Sequence, residues 1–285
     1  MVKLMITTDS TADMPASVAE KYDIRIAPLH VLYNDEDYAD GVDITPEDIL
    51  NRYKERGELP STSAVTPDGY LNFFKEIFDE GFEEIIHIAF CSDMSSTYQN
   101  AVIASQEFGG KVHVIDSRVL SSGMTLLAIR ACEFREMGFK PNRICDLVSD
   151  LIEKNVGGFL LSQLEFLHKG GRCSSVSLLG ANLLNIKPTI VVNNGAMTVA
   201  KKYRGKDEAC RLKYLKERLD EYKDVIDTRR IILHMTCDIS EKDRKYYKKE
   251  LKKLIDCDEI IVSTAGCVIT SHCGPGTFAL FFMTK

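Results

Sequence analysis

The first half of the chain alternates short β-rich runs with segments that carry helix signals. The runs at 3–8, 24–31, 85–90 and 112–115 are dominated by aliphatic and β-branched residues and carry few charges. Such runs are typical of strands buried on both faces of a parallel sheet. The alternation therefore predicts an α/β fold, with a doubly wound, mostly parallel, Rossmann-like domain over residues 1–155.

Helix boundaries in this half are marked by capping residues. Thr45 and Thr66 each stand directly before a proline, and Gly57 and Gly81 follow as stop signals. A threonine at the N-cap and a proline at the first helical position are a favoured helix start. We expect a helix after each threonine and a further one over 15–22.

The second half shows a different pattern. The sequence Asn193-Asn194-Gly195 separates the β-rich runs 189–192 and 197–202, which predicts a hairpin and hence antiparallel sheet. Amphipathic helices are expected at 207–222 and 241–254, and strands at 230–235 and 259–263. We therefore predict a second, α+β domain over 156–285, with residues 57–80 packing on it and a ligand held between the domains.

Charge and cysteine usage narrow the function classes. Lys and Arg total 36 against 42 Asp and Glu, a net charge of −6, which argues against general nucleic-acid or anionic-membrane binding. No run approaches the ~20 apolar residues of a membrane span, and the N-terminus does not resemble a signal peptide. The nine cysteines include no Cys-x-x-Cys pair, so we expect reduced thiols, no metal, no cofactor and a cytoplasmic location without stable membrane insertion.

Hydroxyl-bearing residues gather where the predicted parallel strands end. Clusters occur at 8–11, 92–97 and 116–117. Ligands of open parallel sheets bind beyond these carboxyl ends, although each cluster alone is also an ordinary helix cap. Ser95 and Ser96 would face the free N–H groups of a helix start. The cluster 61–63 is predicted to have no strand or helix of its own.

His272 stands beside a Gly-Pro-Gly sequence that predicts a tight turn around it, and the apolar strand 277–283 follows at once. A polar group next to an apolar wall suits an amphiphilic ligand. An ordinary core strand with a histidine at its turn is the alternative. Strand alternation puts Phe278 and Phe282 on one face and Phe281 on the other, so the three cannot all line one tunnel.

Seven short motifs follow one another along nearly the whole chain. They are Thr8-Asp9-Ser10-Thr11-Ala12-Asp13, Pro60-Ser61-Thr62-Ser63, Ser95-Ser96-Thr97-Tyr98-Gln99, Asp116-Ser117, Gly170-Gly171-Arg172, Ile186-Lys187-Pro188 and His272-Cys273-Gly274-Pro275-Gly276. In this order they resemble the DegV family of bacterial fatty-acid-binding proteins. The chain departs from the family pattern at Ser96, where glycine is usual.

The resemblance implies a non-enzymatic lipid carrier that holds one long-chain fatty acid, such as palmitate, between two domains. Hydroxyls matching Thr62 and Ser95 would bind the carboxylate with His272 close by, and Ser96 is an additional candidate donor. The acyl chain would lie in an apolar tunnel, for which we expect Phe278 and Phe282 as wall residues.

The resemblance also implies a protein partner. Relatives present the bound acid to a fatty acid kinase, and residues matching Arg172 and Arg204 would dock it. Two alternatives stay open: an enzyme or substrate subunit related to dihydroxyacetone kinase that acts on a small carbonyl metabolite through His272, and an interaction protein without a ligand. The sequence has no P-loop and no recognisable Ser-His-Asp pattern to favour the enzyme.

Overall fold

The computed structural model describes residues 2–34, 36–172 and 186–285. Its strands are β1 (Leu4–Asp9), β2 (Ile24–Ala27), β3 (His30–Tyr33), β4 (Glu36–Ala39), β5 (Ser61–Ser63), β6 (Glu84–Ala89), β7 (Val112–Asp116), β8 (Asn155–Leu160), β9 (Ile186–Asn193), β10 (Ala196–Arg204), β11 (Ile226–Met235), β12 (Glu259–Thr264) and β13 (Phe278–Thr284). Its helices are α1 (Ala16–Tyr22), α2 (Pro46–Arg56), α3 (Pro67–Asp79), α4 (Thr97–Ser105), α5 (Ser122–Glu136), α6 (Pro141–Ile152), α7 (Glu165–Gly170), α8 (Asp207–Tyr222), α9 (Glu241–Leu254) and α10 (Cys267–Cys273).

The N-terminal sheet has four parallel strands in the order β2-β1-β6-β7, which confirms the predicted parallel α/β arrangement. All six residues of β1 are buried, as expected for a central strand covered on both faces. The single strand predicted over 24–31 is wrong, because β2 and β3 belong to different sheets. Pro28 lies between them and has no N–H to continue a ladder.

A small antiparallel sheet of order β4-β3-β5 follows. The cluster 61–63, predicted to lie outside any strand, forms β5 and pairs with β3, with Thr62 opposite Val31. This pairing is what holds the Thr62 backbone in place. The capped helices are confirmed: Thr45 accepts a hydrogen bond from the Asp48 N–H at the start of α2, and Thr66 accepts one from the Gly69 N–H at the start of α3.

The second sheet has six strands in the order β10-β9-β8-β13-β11-β12. The predicted hairpin is confirmed as β9 and β10, and most neighbours are antiparallel. The exception is the pair β11 and β12, which run parallel and are joined through α9, so the sheet is mixed. Its strands all lie within residues 155–284, whereas those of the other two sheets lie within 4–116. A domain boundary near 155 stays a prediction.

Helix α5 lies between the two large sheets, and it packs on β1 on one side and on β8 and β13 on the other. Eleven of its residues are buried, so it is apolar almost all round. Of the described helices, none is long and apolar enough to cross a membrane. The described residues contain no cluster of three metal-ligating side chains, and the eight described cysteines are free thiols, while Cys173 lies outside the described residues.

Candidate ligand-binding cavity

A cavity of about 290 Å³ lies between the two halves of the chain. Its polar lining residues include Thr62, Ser95, Ser96, Arg172 and His272. Its apolar lining includes Phe90, Leu120, Phe159, Leu167, Ala279 and Phe281. All three predicted carboxylate-binding residues and Ser96 therefore line one cavity, although they come from separate parts of the sequence.

His272 lies in the last turn of helix α10, which ends at Cys273 and is capped by Gly274, so its predicted place within a turn is wrong. The start of α10 is held by two acids from the N-terminal half. Asp40 Oδ1 accepts a hydrogen bond from the Cys267 N–H at 2.8 Å, and Asp13 Oδ1 accepts one from the Gly266 N–H at 2.7 Å. A helix of seven residues is marginal by itself, and these carboxylates satisfy N–H groups at its start.

The imidazole of His272 is largely enclosed. Its Nε2 lies 2.8 Å from Thr62 Oγ1. Its Nδ1 has no hydrogen-bond partner among the described residues and packs against Gly170, where a Cβ atom would overlap it. Burial, with a smaller contribution from the charge of Arg172, lowers the pKa of His272 from 6.5 to about 4. The ring is therefore neutral at pH 7.

Ser95 precedes helix α4 and interacts with its first residue. Ser95 Oγ accepts a hydrogen bond from the Thr97 N–H at 3.2 Å and lies 2.6 Å from Thr97 Oγ1. When the Thr97 hydroxyl also donates to Ser95, the Ser95 proton is free for a ligand. Ser96 is exposed and has helical backbone angles (φ −73°, ψ −1°), so a serine fits where the family usually has glycine.

The two predicted docking arginines occupy different positions. Arg172 is exposed, its Nη1 donates to the Gly170 carbonyl at 2.7 Å, and it lines both the cavity and an adjoining surface groove. It therefore stands at the cavity mouth. Arg204 is exposed at the end of β10 opposite Ile186 and does not line the cavity.

The predicted tunnel wall requires a correction. Phe278 and Phe282 point to the face of the sheet away from the cavity, where they pack on Tyr247 and Tyr222 with ring centroids 4.9 and 5.3 Å apart. Phe281 lines the cavity instead. The alternation of β13 predicted that the faces differ, but not which face meets the cavity.

Two further polar residues line the cavity and were not predicted. Ser121 follows β7 in the chain, and His234 lies within the apolar strand β11. Both interact with Asp13, which belongs to the first motif of the sequence. A lone histidine in an apolar strand, in the sequence Ile231-Ile232-Leu233-His234-Met235, is a signal from which His234 could have been predicted.

Comparisons with known proteins show the family of the chain. Residues 3–285 match the family model described as an uncharacterised protein of the DegV family. A DegV domain-containing protein of Clostridium acetobutylicum is 33% identical over the full length of both chains. A protein of Thermotoga maritima named fatty acid-binding protein is 31% identical over 97% of this chain and 96% of its own.

Solved structures show the same fold. The structure of a DegV family protein from Thermus thermophilus, described by its fatty acid binding, superposes with a TM-score of 0.88 at 28% identity and covers both chains completely. A Thermotoga maritima protein described as revealing a fatty acid binding function superposes at 0.85, with 28% identity and full coverage of both chains. The match over nearly the whole sequence, together with these relatives, shows that the chain belongs to the DegV family.

Proposed function

We propose that this protein binds one long-chain fatty acid, with the carboxylate at Thr62, Ser95 and His272 and the acyl chain along the apolar part of the cavity. The observation that carries the proposal is that one cavity has hydroxyls and an imidazole on one part of its wall and aromatic and aliphatic side chains on the rest. Fatty acid binding by relatives of full-length similarity supports it.

The head group would be held by neutral donors. A buried carboxylate must be hydrogen-bonded, and the neutral His272 can donate from Nε2 to Thr62, which leaves the Thr62 hydroxyl proton for the ligand. Ser95 can supply a second hydroxyl donor. Arg172 at the mouth adds positive charge without entering a buried ion pair, so the head group stays releasable.

The acyl chain would supply most of the affinity. A sixteen-carbon acid buries about fifteen carbons at roughly 0.8 kcal/mol each, or about 12 kcal/mol before costs. Association and ordering cost an estimated 4–15 kcal/mol. The apolar lining, including Phe159, Leu167 and Phe281, would therefore select the acyl chain, and the hydroxyls would select the carboxylate.

Native mass spectrometry of the purified protein tests this proposal. We expect a mass increment of one long-chain acid, and its exchange for added palmitate after delipidation. A protein that is empty, rejects palmitate and turns over a small carbonyl compound would support the enzyme alternative instead. An empty protein without either property would favour a pure interaction protein.

The same proposal assigns the protein the role of a non-catalytic carrier for a fatty acid kinase. Support comes from Arg172, which is exposed beside the head-group site and so can contact a partner that approaches the carboxylate. Arg204 lies on β10, the edge strand of the six-stranded sheet, beside the start of β9. It is the second docking candidate. The free thiols of the eight described cysteines support a reducing, cytosolic location.

Arg172→Ala tests the docking role, with Arg204→Ala beside it. We expect both variants to keep their fatty acid and to lose kinase-dependent acyl phosphate formation. Lys202→Ala, which removes a neighbouring exposed cation on β10, is the matched control and should change neither. Loss of the lipid in the Arg172 variant would assign this residue to the pocket rather than to the partner.

A further inference from the structure

A buried polar cluster of Asp13, Ser121 and His234 borders the cavity away from the predicted head-group residues. Ser121 and His234 line the cavity and are only 1% and 2% exposed, and Asp13 behind them is 5% exposed. The Ser121 hydroxyl bonds to Asp13 Oδ2, and His234 Nε2 lies 3.5 Å from Ser121 Oγ. Their neighbours on the cavity wall include Leu120, Ala279 and Phe281, so the cluster interrupts an apolar surface.

The hydrogen bonds define the tautomer of His234. Ser263 donates its only hydroxyl proton to the Asp13 carbonyl, so at 3.1 Å from His234 Nδ1 it must accept, and the Ser122 hydroxyl lies 3.2 Å from the same nitrogen. Nδ1 therefore carries the proton, and burial keeps the ring neutral by lowering its pKa to about 3. Nε2 is left as an acceptor. The Ser121 hydroxyl, 3.5 Å away, gives its proton to Asp13, so no hydroxyl in the described part of the chain donates to Nε2.

Ser121 holds its place at a conformational cost. Its backbone angles (φ 52°, ψ −137°) lie in a region that favours glycine, yet the residue is a serine whose side chain bonds to Asp13. Apolar residues of similar size can often replace a buried polar pair without loss of stability. The strain and the burial together indicate that the cluster serves the cavity.

Helix α10 gives the position of the cluster along the cavity. Asp13 bonds to Gly266 at the start of this helix, and His272 lies six residues further on, roughly 9 Å away at about 1.5 Å per residue. Val268, Ile269, His272 and Cys273 all line the cavity, so it runs beside the helix from one polar group to the other. An extended acyl chain advances roughly 1.3 Å per carbon, since a C–C bond is about 1.5 Å long. The cluster would thus meet a carbon about seven positions beyond the carboxylate.

We infer that Ser121 and His234 form a second polar subsite, which recognises a hydroxyl group near the middle of the acyl chain. The inference rests on the proposed fatty acid binding and extends it to hydroxylated long-chain acids. The ligand hydroxyl would donate to His234 Nε2, while Ser121 keeps its hydrogen bond to Asp13. An unsubstituted chain would leave that acceptor against hydrocarbon.

Competition binding to the delipidated protein tests the inference with octadecanoic acid, 8-hydroxyoctadecanoic acid and 18-hydroxyoctadecanoic acid. A satisfied hydroxyl is expected to improve affinity two- to tenfold over the unsubstituted acid. The terminal hydroxyl, which has no such partner, is expected to weaken binding at least tenfold. A mid-chain hydroxy acid that binds more weakly than octadecanoic acid, or no better than the terminal one, would overturn the inference.

Two variants distinguish loss of the hydroxyl subsite from a general loss of fold stability. Ser121→Gly suits the backbone conformation but removes the hydrogen bond that positions Asp13 beside His234, so it should weaken the preference for the mid-chain hydroxyl, with the melting temperature measured alongside. His234→Leu should reverse the order, so that the mid-chain hydroxy acid binds more weakly than octadecanoic acid, because its hydroxyl then meets an apolar wall. If both variants keep the wild-type preference, the cluster does not bind the ligand hydroxyl. Failure of the wild-type protein to bind octadecanoic acid at all would instead contradict the proposed function.

Discussion

Strand β13 presents phenylalanines to both faces of the six-stranded sheet, and the two faces have different surroundings. On one face Phe278 packs against Tyr214 and Tyr247 in a filled core. On the other, Phe281 borders the cavity and lies edge-on to His234, with ring centroids 6.0 Å apart. At Gly157 on the neighbouring strand, a Cβ would come within 2.8 Å of the Phe281 ring, so the glycine makes room for it.

Similar residues on one strand therefore contribute to stability or to binding according to whether a filled core or a cavity lies on their face of the sheet. The filled face has aromatic contacts that a truncation would remove without replacement. The cavity face already borders empty space, so its side chains have fewer contacts to lose and more influence on a ligand.

The largest expected effect is on stability. Phe278→Ala should lower the free energy of unfolding by about 3–5 kcal/mol, because it opens a cavity in a packed core. The matched variant Phe281→Ala should cost less in the delipidated protein and should shift acyl-chain preference toward longer or bulkier acids. Urea unfolding and ligand competition measure the two effects. Equal stability losses with unchanged chain preference would remove the distinction between the faces.

Head-group contacts are expected to matter next. Thr62→Val and Ser95→Ala should each weaken palmitate binding by about 1.5–3 kcal/mol, the usual worth of a hydrogen bond to a charged group. Ser96→Ala is the matched control, because Ser96 lines the cavity but is exposed, and should change affinity by less than about 0.5 kcal/mol. A double Thr62→Val, Ser95→Ala variant with wild-type affinity would show that the carboxylate lies elsewhere.

The neutral state of His272 predicts a pH effect on the delipidated protein. Its pKa is lowered from 6.5 to about 4, so the unfolded chain takes up a proton at a higher pH than the folded protein does. The contribution of neutral His272 to the free energy of unfolding is present above pH 6.5 and is lost as the pH falls toward 4. Between pH 7.5 and 5 this loss amounts to about 2 kcal/mol. Urea unfolding of His272→Gln at pH 7.5 and pH 5 should show a drop in unfolding free energy that is smaller than that of the wild type by about 2 kcal/mol. An identical pH dependence would mean that His272 is not held neutral.

The smallest expected effect concerns the helix that carries His272. Asp40→Ala removes the carboxylate at the start of α10 and should cost about 0.5–2 kcal/mol of stability, with a modest loss of palmitate affinity. Asp37→Ala serves as a control, because Asp37 is an exposed acid on the neighbouring strand β4. A control variant that loses as much affinity as the Asp40 variant would rule out a specific link through the helix.

Local signals predicted much of the fold. The strand alternation, the threonine-capped helices and the Asn-Asn-Gly hairpin are properties of adjacent residues, and the structure contains them. Helix α5 was not predicted, since a helix buried almost all round has no amphipathic period to detect. Helix α10 was missed for a different reason: Asp13 and Asp40, which hold its start, lie more than two hundred residues earlier in the chain.

The site was predictable to a similar extent. The motifs pointed to Thr62, Ser95 and His272, which line one cavity. Ser121 and His234 carried no motif of their own, because their meeting with Asp13 depends on the packing of three distant segments. The choice between Phe281 and its neighbours likewise depends on which face of β13 the helices leave open.

A crystal structure of the protein with its lipid retained tests the central claim most directly. We predict continuous density for one acyl chain in the cavity, with both carboxylate oxygens within hydrogen-bonding distance of Thr62 and Ser95 and the chain in contact with Phe281 and not with Phe278. A carboxylate at the Ser121–His234 end, or an acyl chain on the Phe278 face of the sheet, would contradict the account.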